Sequence, residues 1–378
     1  MRLFFSYFIL TTMAYATAQA DPVISILPKL ESFIHKSMQQ KKIPGMAVAV
    51  VSKGKIIYTQ GFGIRAIGQP AAINQKTLFQ IGSISKAISS TLIAILNREQ
   101  QISLDHPVEF IPGTTLRHVL SHTTGIPPAG FNALIERGGS PLEAQEKLQS
   151  MIPEEEPGGK FAYHNVVYNL LTHIIEDHSN ASFESVLQRK LLKPLNMTGT
   201  SSTWEAFISE ENRVAVHVLK KVKGKKGKII KTAVQQAPYR KDYTNFPAAG
   251  GFSSNIDDMA LFLAAVMGAR PDVISSQDLD EFIHPVVHTP DQWRRTQKHR
   301  DRITQTQYGL GWRHMTFADH PVVFHGGSLR GFCTMLAFLP EQQVGIVILQ
   351  NAESSLAFLL SMQFFDWVLG LPSREWIK

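Results

Sequence analysis

One cysteine, Cys333, is all the thiol that the 378 residues hold. An internal disulfide is therefore excluded, and stability has to come from a packed core. The same scarcity excludes a bacterial lipid anchor, which needs a cysteine at the cleavage point. Charge is thin too, at 18% of residues against 44% hydrophobic. That balance excludes a disordered chain and allows a large buried core. No internal repeat is present, and the apolar stretch from Leu3 to Ala14 is shorter than the ~20 residues that cross a bilayer.

The N-terminus has another use for that stretch. Met1-Arg2 is a positive end, the apolar run follows, and Ala18-Gln19-Ala20 is a small-x-small site before Asp21. This is the order of a cleavable secretory signal over residues 1–20, which puts the mature chain, residues 21–378, in the periplasm or outside the cell. Losing Arg2 would lower the formal net charge by one from +7. The surplus is local, with seven lysines between Lys220 and Lys231. Interrupted by Gly224 and Gly227, this run reads first as a solvated hairpin or loop, and second as a weak contact with an anionic envelope surface. Nucleic acid is not an expected partner of an exported protein, and no transmembrane segment is expected after cleavage.

Gly45 to Val51 is a compact β-branched run, and Ile56 to Thr59 follows across a Lys-Gly turn, so two strands open the fold. From Ile84 apolar residues recur every three or four positions, which predicts a helix with one buried face. Further helices are predicted at Leu116–Leu120, Val166–Glu176, Phe183–Leu191 and Asp257–Met267, the last opened by a capping box of Ser254 and Asp257. Strands return at Tyr308–His314, Val322–His325, Cys333–Leu339 and Val344–Leu349, before a closing helix from Ser355 to Leu369. Two strands alone make no stable sheet, so the two ends must pair. The expected fold is α+β: an antiparallel sheet from both chain ends flanked by helices (residues 21–82 and 290–378), with an inserted, mostly helical lobe (83–289) and a cleft between them.

Ser83-Ile84-Ser85-Lys86 opens the first strong helix. Residues three apart share a helical face, so the Ser83 hydroxyl and the Lys86 amine can meet. A serine is a weak nucleophile until a base takes its proton, and a partly desolvated lysine can serve. The helix start also offers N–H groups to a developing oxyanion. Ser52-Lys53-Gly54-Lys55 repeats the spacing, but in a strand-turn-strand where the two residues do not share a face.

Taken with that tetrapeptide, Tyr163-His164-Asn165 and His325-Gly326-Gly327 resemble, in order, the three signatures of the serine β-lactamase and penicillin-binding superfamily, in its class C and esterase-like branch. Similar stretches accompany them: Ser121-His122-Thr123-Thr124-Gly125, Pro157-Gly158-Gly159-Lys160-Phe161, Ala248-Ala249-Gly250-Gly251 and Tyr308-Gly309-Leu310-Gly311-Trp312. The resemblance covers residues 28 to 370 and implies a β-lactamase/transpeptidase-like fold. It implies that Ser83 is acylated, that Lys86 and Tyr163 move its proton, and that Asn165 orients the substrate. The strand bearing His325, Gly326 and Gly327 would line the cleft opposite, with the Ser328 and Ser83 N–H groups forming the oxyanion hole. Tyr243-Thr244-Asn245 repeats the second signature, but the Pro-Gly-Gly-Lys-Phe lead-in favours Tyr163.

The third signature departs from the common Lys-Thr-Gly. A fixed cation becomes an imidazole, and a hydroxyl is lost at Gly326. Both would pair with a β-lactam carboxylate, so small neutral esters are expected to outrun penicillins and cephalosporins. The expected function is an exported serine hydrolase acting on a small-molecule or peptide-like acyl substrate, an ester or amide, without cofactor or metal. A β-lactamase or D-alanyl-D-alanine carboxypeptidase is the alternative, and a non-catalytic ligand-binding relative is the alternative of another class. His122 and His164 read as structural histidines. His173 and His178 are five apart, ~500° of helical turn, and point away from each other.

Overall fold

The computed structural model describes residues 21–109, 111–127, 131–223 and 229–377. The signal segment expected at 1–20 lies outside them, as do residues 224–228 of the lysine-rich stretch. In chain order the elements begin with α1 (Leu27–Lys41), β1 (Gly45–Ser52), β2 (Lys55–Gly63), β3 (Phe79–Gln80), α2 (Ile84–Arg98), α3 (Leu116–Ser121), α4 (Phe131–Glu136) and α5 (Pro141–Gln149). The middle holds α6 (Asn165–Tyr168), α7 (Leu170–Ser179), α8 (Phe183–Leu187), α9 (Trp204–Ser209), β4 (Val216–Lys223), β5 (Ile229–Ala237), β6 (Ser253–Ser254), α10 (Ile256–Ala264) and α11 (Ser276–Ile283). The chain then returns to β7 (Val287–His288), α12 (Pro290–Arg295), β8 (Ile303–Tyr308), β9 (Arg313–Phe317), β10 (His320–Leu329), β11 (Phe332–Leu339), β12 (Val344–Gln350) and α13 (Leu356–Val368).

An eight-stranded antiparallel sheet runs in the order β2-β1-β12-β11-β10-β9-β8-β7. The two chain ends do pair: Val48 lies opposite Ile348 and Val50 opposite Ile346. Every residue of β1 is buried, because the sheet is covered on both faces. Met46, Val48 and Val50 pack with Leu30, Ile34 and Met38 of α1 and with Leu356, Leu360 and Phe364 of α13. Ala47, Ala49 and Val51 turn the other way, toward the core that holds α2 and α10. Each fully buried Val, Ile or Leu contributes about 1.5–3 kcal/mol, so these stripes dominate the placement of the helices. The fold is α+β with a mostly helical lobe on one face of the sheet. Among the described residues no helix is long and apolar enough to cross a membrane.

Three details differ from the sequence expectations. The helix α1 was not anticipated; its apolar stripe is thin among polar residues. The capping residue of α10 is Asn255, whose side chain accepts from the Asp258 amide at 2.9 Å, while Ser254 pairs with Phe79 in a short ladder. The strand expected over Tyr308–His314 is two strands separated by a turn. Gly311 sits there at φ +88°, where an added Cβ would lie 2.4 Å from the Ser90 Cβ. The described part of the lysine-rich stretch lies on the hairpin β4–β5, one of the forms expected of it, with Lys220 opposite Ala233.

Candidate active site

The strand β3 ends in Ile81-Gly82, and Ser83 stands as the N-terminal cap position of α2. Its hydroxyl makes no capping bond, so the oxygen is not consumed by the helix. Two glycines allow β10 to come close here. A Cβ on Gly82 (φ +53°) would sit 3.0 Å from the Ser328 nitrogen, and one on Gly327 would sit 2.0 Å from the Ile81 carbonyl oxygen. Thr334 fastens the junction by donating to that carbonyl at 2.8 Å. The Ser328 backbone nitrogen is thereby brought beside the start of α2, where helix N–H groups favour negative charge.

One turn on, Lys86 is fully buried. Its ammonium donates to Asn165 Oδ1 at 2.7 Å, to the Ala249 carbonyl at 2.5 Å and to Ser83 Oγ at 3.5 Å. The Ala-Ala-Gly-Gly stretch thus has a concrete place: its backbone receives Lys86 through Ala249 and Ser89 through Ala248. The Tyr163 ring lies 4.8 Å from Lys86 Nζ. Burial lowers the pKa of Lys86, Tyr163 raises it and Arg313 lowers it again, for a net fall. Burial alone would raise the Tyr163 phenol. The charges of Lys86 and Arg313, with hydrogen bonds from Lys86 and Ser83, outweigh burial and lower it. Amine and phenol are thus both lowered and, in contact with each other, act as one coupled acid–base pair.

Tyr163 is set in place by the His122 loop. The His122 carbonyl accepts from the Ala162 amide at 2.8 Å, and its Nδ1 accepts from the His164 amide at 3.2 Å. The imidazole itself lies 4.3 Å from the Tyr163 ring, centroid to centroid. Both neighbours of Tyr163 are thus clasped by one histidine. His164 faces away, capping α6 through the Val167 amide and packing on Phe131.

Ser83, Tyr163, Asn165, Gly326, Gly327 and Ser328 line one open cleft of about 1280 Å³. His325 does not. It is fully buried, with Nε2 3.1 Å from the Tyr308 hydroxyl and Nδ1 3.0 Å from the Gly326 carbonyl oxygen. Burial, with Arg313 and Lys86 nearby, pushes its pKa well below the usual value, so it is a neutral support beneath the cleft and not the substrate contact expected. The cation of the cleft is one the sequence reading missed. Arg313, at the start of β9, lies 4.9 Å above the Tyr163 ring and 5.4 Å from that of Tyr308, and donates to Gln292 at 2.5 Å. A charged residue directly after Gly311-Trp312, at the opening of a strand, was the available signal. Tyr243 was set aside as a chance repeat, yet it also lines the cleft, 3.4 Å from Asn165 Nδ2. Burial, then the charge of Tyr163, pushes its phenol up to about 12, so of the two tyrosines only Tyr163 is poised to lose its proton.

The arrangement is that of the penicillin-binding protein and β-lactamase superfamily, whose members are generally serine hydrolases. The octameric penicillin-binding protein homologue from Pyrococcus abyssi superimposes with a TM-score of 0.75 at 26% identity, over 91% of this chain and 78% of that one. The profile of the family named Beta-lactamase matches residues 30–365, and the chain belongs to that family. Among similar proteins are the unguisins hydrolase ungD of Aspergillus violaceofuscus, 24% identical over 91% of this chain and 65% of its own length, and protein flp of Staphylococcus aureus, 24% identical over 86% and 63%. The chain spans less than two thirds of the length of these curated relatives.

Proposed function

We propose that this chain is a serine hydrolase that forms a covalent acyl-enzyme on Ser83. The observation that carries this reading is the wholly buried Lys86, one helical turn from Ser83 and coupled to Tyr163. A pure binding protein has no use for a buried ammonium placed against a serine and a phenol. In this reading Ser83 Oγ attacks an acyl carbonyl and its proton passes to the Lys86–Tyr163 pair. The backbone N–H groups of Ser83 and Ser328 hold the oxyanion. The pair protonates the leaving alcohol or amine as the acyl bond breaks, then takes a proton from the attacking water and returns it to Ser83 Oγ as the acyl–enzyme bond breaks. Asn165 holds Lys86 on one side and faces the cleft on the other, where it orients the substrate.

Esters or amides remain the proposed substrates, but the argument for neutral ones changes. It rested on a missing cation in the third signature, and Arg313 places one in the cleft from the neighbouring strand. A carboxylate-bearing acyl compound, including a β-lactam or D-amino-acid peptide, is the second reading that Arg313 favours. The order of the first twenty residues supports an exported location. Intact-mass measurement across a panel of esters, lactams and D-amino-acid peptides tests the proposal. An acyl adduct that vanishes in Ser83→Ala is expected. If no panel member acylates the chain, the binding-protein reading replaces this one.

A further inference from the structure

The cleft does not stop at the reacting serine. It runs on to α12 and the turn at residues 297–299, where Gln292, Arg295, Thr296 and Lys298 form its wall. Asp291, Gln292 and Arg295 sit on one face of α12, as spacings of three and four require. The basic residues of this segment divide into two sets. Arg294 pairs with Asp291, Arg302 with Asp366, and Asp301 with Arg374. Arg295 and Lys298, both exposed and both lining the cleft, make no ion pair among the described residues. Arg313 lies against Tyr163 and donates to the neutral amide of Gln292, with no carboxylate partner among the described residues. Among the described residues Asp291, Asp301 and Asp366 each pair with another arginine, while Arg295 and Lys298 at the cleft are left without an ion pair. Counting every charged lining residue, Lys41, Arg295, Lys298, Arg313 and Arg374 face only Asp291 and Glu375.

We propose that this wall is a second binding site for the substrate, where Arg295 and Lys298 take acidic groups on a part of the molecule that extends beyond the acyl bond. The inference rests on the serine hydrolase reading and narrows it: the substrate is an extended acyl compound carrying carboxylates, such as an acidic peptide. Arg313 bridges the two regions, through Tyr163 on one side and Gln292 of α12 on the other. Cations of this kind raise the local concentration of an anionic ligand and act over about 10 Å at 0.1 M salt.

The test uses fluorescein-labelled hexaglutamate and hexaglutamine, titrated by anisotropy against the full chain carrying Ser83→Ala. Hexaglutamate should bind tighter, and the preference should shrink as salt is raised. Adding Arg295→Gln and Lys298→Gln, both surface changes, should weaken hexaglutamate binding by about 2- to 30-fold, from ~0.2–1 kcal/mol per exposed charge pair. Hexaglutamine binding should not move. Equal binding of the two peptides, or no effect of the double change, overturns the second site. In parallel, a fluorophosphonate is offered to the unaltered chain. Labelling at Ser83 without a hexaglutamate preference keeps the hydrolase reading and discards the wall; no labelling at Ser83 discards both.

Discussion

Replacing Arg313 by glutamine removes a cleft cation that lies against the Tyr163 ring. Its guanidinium lies 4.9 Å from the Tyr163 ring centroid. At that distance a charge pair is worth about 1–3 kcal/mol for an effective dielectric between bulk water and a protein surface. Arg313 lowers the phenol's pKa, so its loss raises it, and less of the phenolate is present at a given pH. If the phenolate form of the coupled pair takes the serine proton, acylation should fall by roughly 5- to 150-fold on the acid side. It should recover as pH rises, with the acid limb of kcat/KM displaced upward. Arg313→Lys keeps a charge and should lie between the two. The assay is stopped-flow acylation by a neutral ester across the pH range, so that charge on the substrate plays no part. A uniform loss at every pH, with the limb unmoved, would show that Arg313 only supports the fold and would refute the electrostatic argument.

Other changes follow from the same geometry. Ser83→Ala should abolish acylation while Ser52→Ala, in the β1–β2 turn region, leaves it near normal; a dead Ser52→Ala enzyme would reverse the assignment, as seen by fluorophosphonate labelling. Tyr163→Phe should slow acylation by about 10²–10⁴-fold, and a normal burst in rapid-quench experiments would remove Tyr163 from the mechanism. Gly327→Ala puts a Cβ 2.0 Å from the Ile81 carbonyl oxygen and 2.3 Å from Thr334 Oγ1. It should displace the Ser328 amide and cut kcat by roughly 10²–10³-fold, as loss of an oxyanion donor does; unchanged kcat would place the oxyanion elsewhere. His325→Lys should destabilise the fold to urea, because it buries an ammonium between Arg313 and Lys86 with no acid partner, a penalty of several kcal/mol; an unchanged midpoint would show that the new side chain reaches the cleft.

What could be read from the sequence was what local spacing determines. Ser83 and Lys86 share one helical turn, so three residues of sequence placed them together. The β1 run and the strands from Val322 onward were legible because a buried sheet needs continuous apolar segments. Arg313 was not, since the Tyr163 ring it lies against comes from a loop far away in sequence, a contact no short window contains. His325 was misplaced because its ring is buried beneath the cleft, 3.1 Å from the hydroxyl of Tyr308 on β8, a contact between two strands that are not neighbours in the sheet. Tyr243 was set aside because the Pro-Gly-Gly-Lys-Phe lead-in favoured Tyr163. Only the turn at Pro247–Gly251, packed on α2, brings it back to the cleft.

The pairing of β1 with β12 has a kinetic side. Val48 meets Ile348 only after some 300 intervening residues exist and have been drawn together, a closure entropy of about 5 kcal/mol. During synthesis β1 has β2 as a neighbour but leaves its other edge open, and an apolar open edge is a template for pairing with another chain. Contacts so distant in sequence also slow folding. The last strand is thus the step that seals the sheet, and a ribosome stalled before Val344 would hold a chain with its most apolar strand half-paired, a substrate for chaperones and aggregation rather than a smaller enzyme.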